Sequence, residues 1–228
     1  MIKNLWTDLK INKLQLLQLS KELFEDSFDV SNNININRQV KCNVDPMIKP
    51  IAAMARFDKI KIHCNSIEVN NNLINNISYN DIDKTTIRGI VFFGVTIGNL
   101  LTNSFGSITD LAIDYYKTSL VNSLLVMVKR ELIKSLKIEN KYLSNGFGPG
   151  YFDSPMDQFI QLDELLNFDK LNISYNGTTL NPPKSSVGYF YILDQPYKSS
   201  KSECINCKGN KGGCEFCNIN YMNQQNQT

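Results

Sequence analysis

Two stretches of this chain concentrate residue types that can do chemistry. The first is Gly146-Phe147-Gly148-Pro149-Gly150-Tyr151-Phe152-Asp153-Ser154-Pro155. Three glycines and two prolines in ten residues can neither continue a helix nor pair as a central strand. A Gly-Pro-Gly turn presents main-chain N–H and C=O groups with no side chains in front of them. A phenol, Tyr151, follows at once. With helical patterns on either side, such a turn is either a tight connection or a ligand site made from main-chain contacts. The second stretch pairs Cys204-Ile205-Asn206-Cys207 with Cys214-Glu215-Phe216-Cys217 across the loop Lys208-Gly209-Asn210-Lys211-Gly212-Gly213. Each C-x2-C unit puts two sulfurs on one side of a tight turn, and the glycines let the loop fold back so that four thiolates can meet tetrahedrally. Zinc held this way would be structural, because four thiolates leave no open position. An iron–sulfur cluster takes the same ligands and would imply electron transfer. Two local disulfides or free thiols complete the possibilities.

Other chemistry is sparse. His63 is the single histidine and sits on a strand-like run away from any acidic or cysteine cluster, as a surface or satisfied core residue would. No H-E-x-x-H, G-x-S-x-G, Walker A or dinucleotide G-x-G-x-x-G motif occurs. Any reactivity must therefore come with a ligand. The formal net charge of +2 and the scattered basic residues give no electrostatic case for nucleic acid or an anionic membrane. The N-terminus has no uninterrupted apolar stretch of the signal-peptide kind, and no window approaches the roughly 20 apolar residues that cross a bilayer. The expectation is a cytoplasmic protein whose six cysteines are thiols or metal ligands. Cys42 and Cys64, isolated on strand-like segments, read as buried apolar thiols.

The elements that must position these residues follow from periodicity. Apolar residues from Ile11 to Phe24 predict an amphipathic helix over about 10–25. Val40, Cys42 and Val44 alternate as in a strand, and Phe57–Val69 reads as strand-turn-strand, followed by an Asn/Asp-rich loop to Lys84. Ile90–Ile97 is nearly all apolar and predicts a buried central strand. A short helix begins near Asn99–Asn103. From Ser107, with Ser107 or Thr109 as cap and Asp110 in the first turn, an apolar face running to Leu136 predicts a helix of roughly eight turns. The glycine turn follows it, Pro155 opens a second helix, and two or three strands come after, ending with Gly188–Leu193. The whole predicts an α+β domain over 1–195, a mixed or antiparallel twisted sheet flanked by helices, with a separate four-cysteine tail over 196–228.

Four segments in this order resemble the activation domain of cobalamin-dependent methionine synthase, in its free-standing form. They are Phe93-Gly94-Val95-Thr96-Ile97-Gly98, the helix opening Asp110-Leu111-Ala112-Ile113-Asp114, Pro149-Gly150-Tyr151 with Asp153 and Pro155, and Pro183-Lys184-Ser185-Ser186-Val187-Gly188. The resemblance spans roughly residues 40–195, and the Cys-rich tail is similar to that of free-standing relatives. It implies binding of S-adenosylmethionine and docking on the cobalamin-carrying subunit of a corrinoid methyltransferase. When that cobalt has been oxidised to cobalt(II), a flavodoxin or ferredoxin supplies one electron and the methyl group of S-adenosylmethionine traps the reduced metal. The resemblance puts Tyr151 near the transferred methyl, and Gly146, Gly148, Pro149 and Gly150 around the methionine end of the ligand. Lys184 and Ser185 fall near the ligand or the corrinoid. Gly146 stands where the family has Arg, a partner for the ligand's carboxylate. Asn122 stands at a catalytic position where the family has Glu, and an amide cannot serve as anion or proton acceptor there. Phe159 replaces a typical Gln. A relative without turnover, acting as a corrinoid-protein docking subunit or chaperone, is the alternative these departures leave open.

Overall fold

The computed structural model describes residues 5–27, 34–75, 77, 79, 82–100, 106–150 and 154–197. The apolar run predicted as a central strand is β6, Ile87–Thr96, and alternate residues of it face opposite ways: Ile90 and Phe92 into one core cluster, Val91, Phe93 and Val95 into another. A strand buried on both faces needs a layer on each side. Its pairing partners are β2 (Ile51–Phe57) and β10 (Ser185–Leu193). With β1 (Leu5–Asp8) and β7 (Tyr142–Phe147) at the edges, the sheet order is β1-β2-β6-β10-β7, and every adjacent pair is antiparallel.

One face carries the helices α1 (Lys13–Ser27), α2 (Ile34–Val44) and the 32-residue α3 (Ser107–Ile138). Leu16, Phe24, Val40, Val44, Tyr116, Leu120 and Leu124 are buried there against Phe93 and Phe190. The other face carries α4 (Gln158–Leu166) and a small antiparallel sheet of β3 (Ile60–Ile62), β4 (Ser66–Val69) and β5 (Asn72–Asn75). A hairpin of β8 (Ser174–Tyr175) and β9 (Leu180–Asn181) accompanies them. Aromatic rings join this layer to the sheet: Phe147 stacks on Tyr189 and Tyr79 on Tyr191, each at 5.7 Å between centroids. Each such buried ring contributes on the order of 1.5–3 kcal/mol of transfer free energy. The Tyr79 hydroxyl donates to the Ser66 carbonyl (2.9 Å), fastening β4 to the same column, and burial pushes its pKa up to about 12. The architecture is thus α+β, antiparallel sheets flanked by helices, in one compact unit, Met1–Tyr197. No helix among the described residues is long and apolar enough to cross a membrane.

Several sequence expectations are corrected. Residues 39–44 belong to a helix, α2, and not a strand: Val40 and Val44 are four apart and both fully buried, while Cys42 between them is exposed. Cys64 is exposed as well, so neither cysteine is a core thiol. Neither Ser107 nor Thr109 caps α3; the N-cap is Gly106, whose carbonyl accepts from Asp110 N–H (3.0 Å). The Asn-rich loop contains β5, whose free edge is held by side chains. Gln161 Oε1 accepts from Asn75 N–H (2.9 Å), and the Gln158 amide donates to the Asn75 carbonyl (3.2 Å). The four tail cysteines lie outside the described residues, as does most of the expected Asn99–Asn103 helix.

The far end of α3 is fixed by charge. Arg56 on β2 donates to both Glu139 oxygens at 2.6 Å, with Asp58 and Lys141 completing the group. The Arg56 guanidinium is the main reason the Glu139 carboxyl lies at about 2, below its ordinary 4.5. Glu139 is partly exposed, so screening leaves the pair a contribution of about 0.5–1 kcal/mol. A depressed acid stabilises the fold above its unfolded-state value and loses that contribution as pH falls towards the folded one. Urea titration should therefore find Glu139→Gln less stable by about that amount near neutrality. The two proteins should converge as the pH drops from 4.5 to about 2.

Candidate functional site

β6 and β7 both pair antiparallel with β10, so they run parallel to each other, and α3 carries the chain back between them. That topology brings the end of β6, the start of β10 and the exit of β7 to one end of the sheet. Thr96 and Ser185 are register partners there, and the Ser185 hydroxyl donates to Thr96 Oγ1 at 2.9 Å. Thr96 Oγ1 also accepts from Gly98 N–H (3.1 Å), so a fully buried hydroxyl sets the turn that leaves β6.

Lys184, the residue before β10, reaches across to α3. Its ammonium lies 2.8 Å from Asp114 Oδ1 and donates to Thr118 Oγ1 at 2.9 Å. Asp114 and Thr118 are one turn apart on α3, and Asn122, exposed, comes one turn later. Lys117 donates to the Leu100 carbonyl (2.9 Å). Burial lowers its pKa, with Asp114 opposing and Lys184 reinforcing that shift. The local cluster of Asp114, Lys117 and Lys184 thus holds two cations around one carboxylate. Thr96, Asp114 and Thr118 carry this geometry and were not singled out as site residues by sequence. The spacing of four between Asp114, Thr118 and Asn122 is the signal that could have flagged the face.

The glycine stretch is not a simple connection between two helices. Gly146 lies within β7, opposite Phe190, and only Gly148 onwards forms the turn. β7 is an edge strand, paired only with β10. Its ladder is irregular between Phe190 and Ile192, and the buried Ser144 hydroxyl accepts from Tyr191 N–H (2.9 Å) at that break. A Cβ at Gly146 would sit 3.2 Å from the Phe190 ring, on the α3 side of the sheet. A Cβ at Gly148 would sit 2.8 Å from the Val187 carbonyl oxygen, so glycine is required there for the turn to lie against β10. Pro149 is buried, and Gly150, exposed, has φ +82°, a conformation costly for residues with a side chain. The Gly150 N–H donates to the Ser154 carbonyl (2.9 Å), closing the turn ahead of α4.

The structure therefore seats Gly148 against Val187 and Gly188 of β10, the strand that Lys184 precedes and Ser185 opens, with Pro149 and Gly150 following it. Gly146 is set back in its strand, and no hydrogen bond or ion pair among the described residues joins Asn122 to the group. Tyr151 lies outside the described residues. Ser154 Oγ and Gln158 Oε1, on the far side of the turn, are buried with no hydrogen-bond partner among the described residues. His63 is exposed and remote from these groups in sequence and sheet. The described residues contain no group of acids, histidines and cysteines able to hold a metal. Gly148→Ala must shift main chain against main chain. It should destabilise the protein by about 1–3 kcal/mol in denaturant unfolding. An unchanged midpoint would mean that the turn does not lie against Val187.

No protein-family model and no curated protein matches this chain. Among solved structures, the fold is similar to the crystal structure of the MetH reactivation domain bound to AdoHcy. The TM-score is 0.51 at 13% sequence identity, covering 89% of this chain and 75% of that one. At that identity the likeness is one of fold, and it extends over nearly the whole described unit.

Proposed function

We propose that this protein reactivates a corrinoid methyltransferase of the cobalamin-dependent methionine synthase type, holding S-adenosylmethionine at the sheet end where the glycine turn meets the start of β10. The observation that carries the reading is the seating of Gly148 against Val187 of β10, the strand that Lys184 and Ser185 lead into, in a fold similar to that of a domain crystallised with AdoHcy. S-adenosylmethionine supplies an activated methyl group, and the acceptor is cobalamin on a partner subunit, with a flavodoxin or ferredoxin as electron donor. This chain's part is positional. The main chain of the turn would meet the amino-acid end of the ligand, and Tyr151, outside the described residues, is the residue that the resemblance puts near the methyl. Lys184, neutralised by Asp114, holds β10 against α3 so that the two walls of the site keep their spacing. Asn122 stands further along α3 as a hydrogen-bonding group without charge.

That missing charge, with Gly146 in place of a guanidinium, favours a second reading: a docking subunit or chaperone for a corrinoid protein, of the same fold and without turnover. Ligand binding separates the two. A ligand that binds only the folded state stabilises it by RT ln(1 + [L]/Kd), about 2.7 kcal/mol at a hundredfold excess over Kd. S-adenosylmethionine at millimolar concentration should raise the Tm by several degrees. A flat melt with the corrinoid partner also present discards the first reading and leaves the second. Tyr151→Phe should leave that thermal shift intact and slow methylation of the reduced partner by roughly tenfold or more. Equal rates would remove Tyr151 from the reaction.

Cys204, Cys207, Cys214 and Cys217 are read in the same proposal as ligands of one metal, since their spacing supplies a closed four-thiolate set. Elemental analysis should find about one zinc per colourless chain; a brown protein with visible absorption would reassign the site to an iron–sulfur cluster. Metal-free protein with the same Tm would eliminate both.

A further inference from the structure

We propose that Asn176-Gly177, in the turn between β8 and β9, is a modification site: in the folded protein the Asn176 amide is hydrolysed through a cyclic imide closed by the Gly177 nitrogen. Asn-Gly occurs twice in the chain, at Asn145-Gly146 and at Asn176-Gly177, and the fold treats the two differently. Asn176 and Gly177 are both exposed. Gly177 has φ +91°, and a Cβ built on it would meet nothing within 4 Å, so its nitrogen is open to solvent base. The Gly177 N–H has no hydrogen-bond partner among the described residues. The Asn176 amide, by contrast, is held and polarised. Its Oδ1 accepts from Thr178 N–H (3.0 Å) and Thr179 N–H (2.8 Å), and its Nδ2 donates to Thr179 Oγ1 (3.3 Å). Main-chain donors aimed at the oxygen that becomes negative stabilise a tetrahedral intermediate.

The Gly177 nitrogen, its proton lost to solvent, attacks Asn176 Cγ; the Cγ–Nδ2 bond breaks and ammonia leaves. The imide then takes up water and opens to aspartate or isoaspartate. The sum is amide plus water giving acid plus ammonia, with no oxidant or reductant. Asn145 has the same neighbour in a different setting. It lies within β7, and Gly146 is paired with Phe190 of β10. Its carbonyl accepts from the Ser144 hydroxyl (2.7 Å). Ring closure there draws the main chain out of the extended conformation and breaks strand pairing, whereas at Asn176 it disturbs only the turn. The isoaspartate product lengthens the main chain between β8 and β9, whose register sets Ser174 opposite Asn181 and Tyr175 opposite Leu180. Tyr175 packs on Phe159 of α4 at 4.9 Å between ring centroids, so modification loosens the hairpin from α4.

The test incubates the full, folded chain at mildly alkaline pH, digests it with pepsin and follows by mass the conversion of each asparagine amide to the heavier acid. The peptide carrying Asn176 should convert about tenfold or more faster than the one carrying Asn145. In denaturant, where both dipeptides lose their settings, the two rates should come within about twofold of each other. Gly177→Ala should slow conversion at Asn176 about tenfold, because a side chain then hinders the attacking nitrogen. If φ +91° makes that variant unstable, Asn176→Gln, whose longer side chain must close a larger ring, should slow it by at least as much. An Asn176 that stays an amide in the folded chain and converts only in denaturant overturns the proposal. Equal rates at the two dipeptides in the folded chain, or faster conversion of Asn145, also overturn it.

Discussion

Two parallel strands with a third between them cannot be joined by a hairpin, and the arrangement of this molecule follows from that constraint. β10 occupies the place between β6 and β7. The chain leaving β6 must therefore return the full length of the sheet before β7 can begin, and it does so as α3. A helix of 32 residues is about 48 Å long, more than the strands alone require. Its first turns accordingly stand at one end of the sheet and its last turns project at the other. The same constraint delivers the glycine turn, the start of β10 and the opening of α3 to a common end.

The two ends of α3 are held differently. At the far end, Arg56 and Glu139 make a bidentate pair with neighbours of both signs. At the near end, Lys184 spans Asp114 and Thr118. Such part-exposed pairs add little to stability against the burial of Tyr116, Leu120 and Leu124 beneath them. Their effect is on alignment: they fix the helix along and across the sheet, where apolar packing alone tolerates small slides. The buried pairing of Tyr116 with Asp45, a 2.7 Å hydrogen bond, acts similarly between α3 and the segment entering β2. Burial outweighs that hydrogen bond and the nearby lysines, so the Asp45 carboxyl lies above its ordinary value.

The strongly periodic elements were legible in the sequence. β6 announced itself by continuous apolar residues, and α3 by a face kept for eight turns or more. α2 was misread because Val40, Cys42 and Val44 satisfy both a period of two and a spacing of four, and only the exposure of Cys42 decides between them. β1, β2, β5 and β7 were missed, for several reasons. Ala52, Ala53 and Ala55 are poor strand formers in isolation, and β5 is a short asparagine-flanked piece whose edge is satisfied by glutamine side chains. β7 contains Asn145 and Gly146 and is completed by the Ser144 hydroxyl. β1, β2 and β7 are stabilised by partners distant in sequence, which local pattern does not contain, whereas β5 pairs with the neighbouring β4 and is too short to show a period. In the candidate site, the turn and the Lys184-Ser185 pair were legible as motifs. That Lys184 is matched to Asp114 and Thr118 was not, because it depends on the crossover.

Glycine content alone is a poor guide to what the turn does. Gly148 is explained by its contact with Val187, and Gly150 by its positive φ; neither needs a ligand. What marks this turn out is where it lies: at a sheet edge, with Gly148 against Val187 of the strand that an ion-paired lysine precedes and a hydrogen-bonded serine opens. Polar groups satisfied in advance present a fixed surface and spend no binding energy on reorganisation. Lys184 is therefore tied to α3, and the local charge is the sum over Asp114, Lys117 and Lys184 rather than that of a single free ammonium.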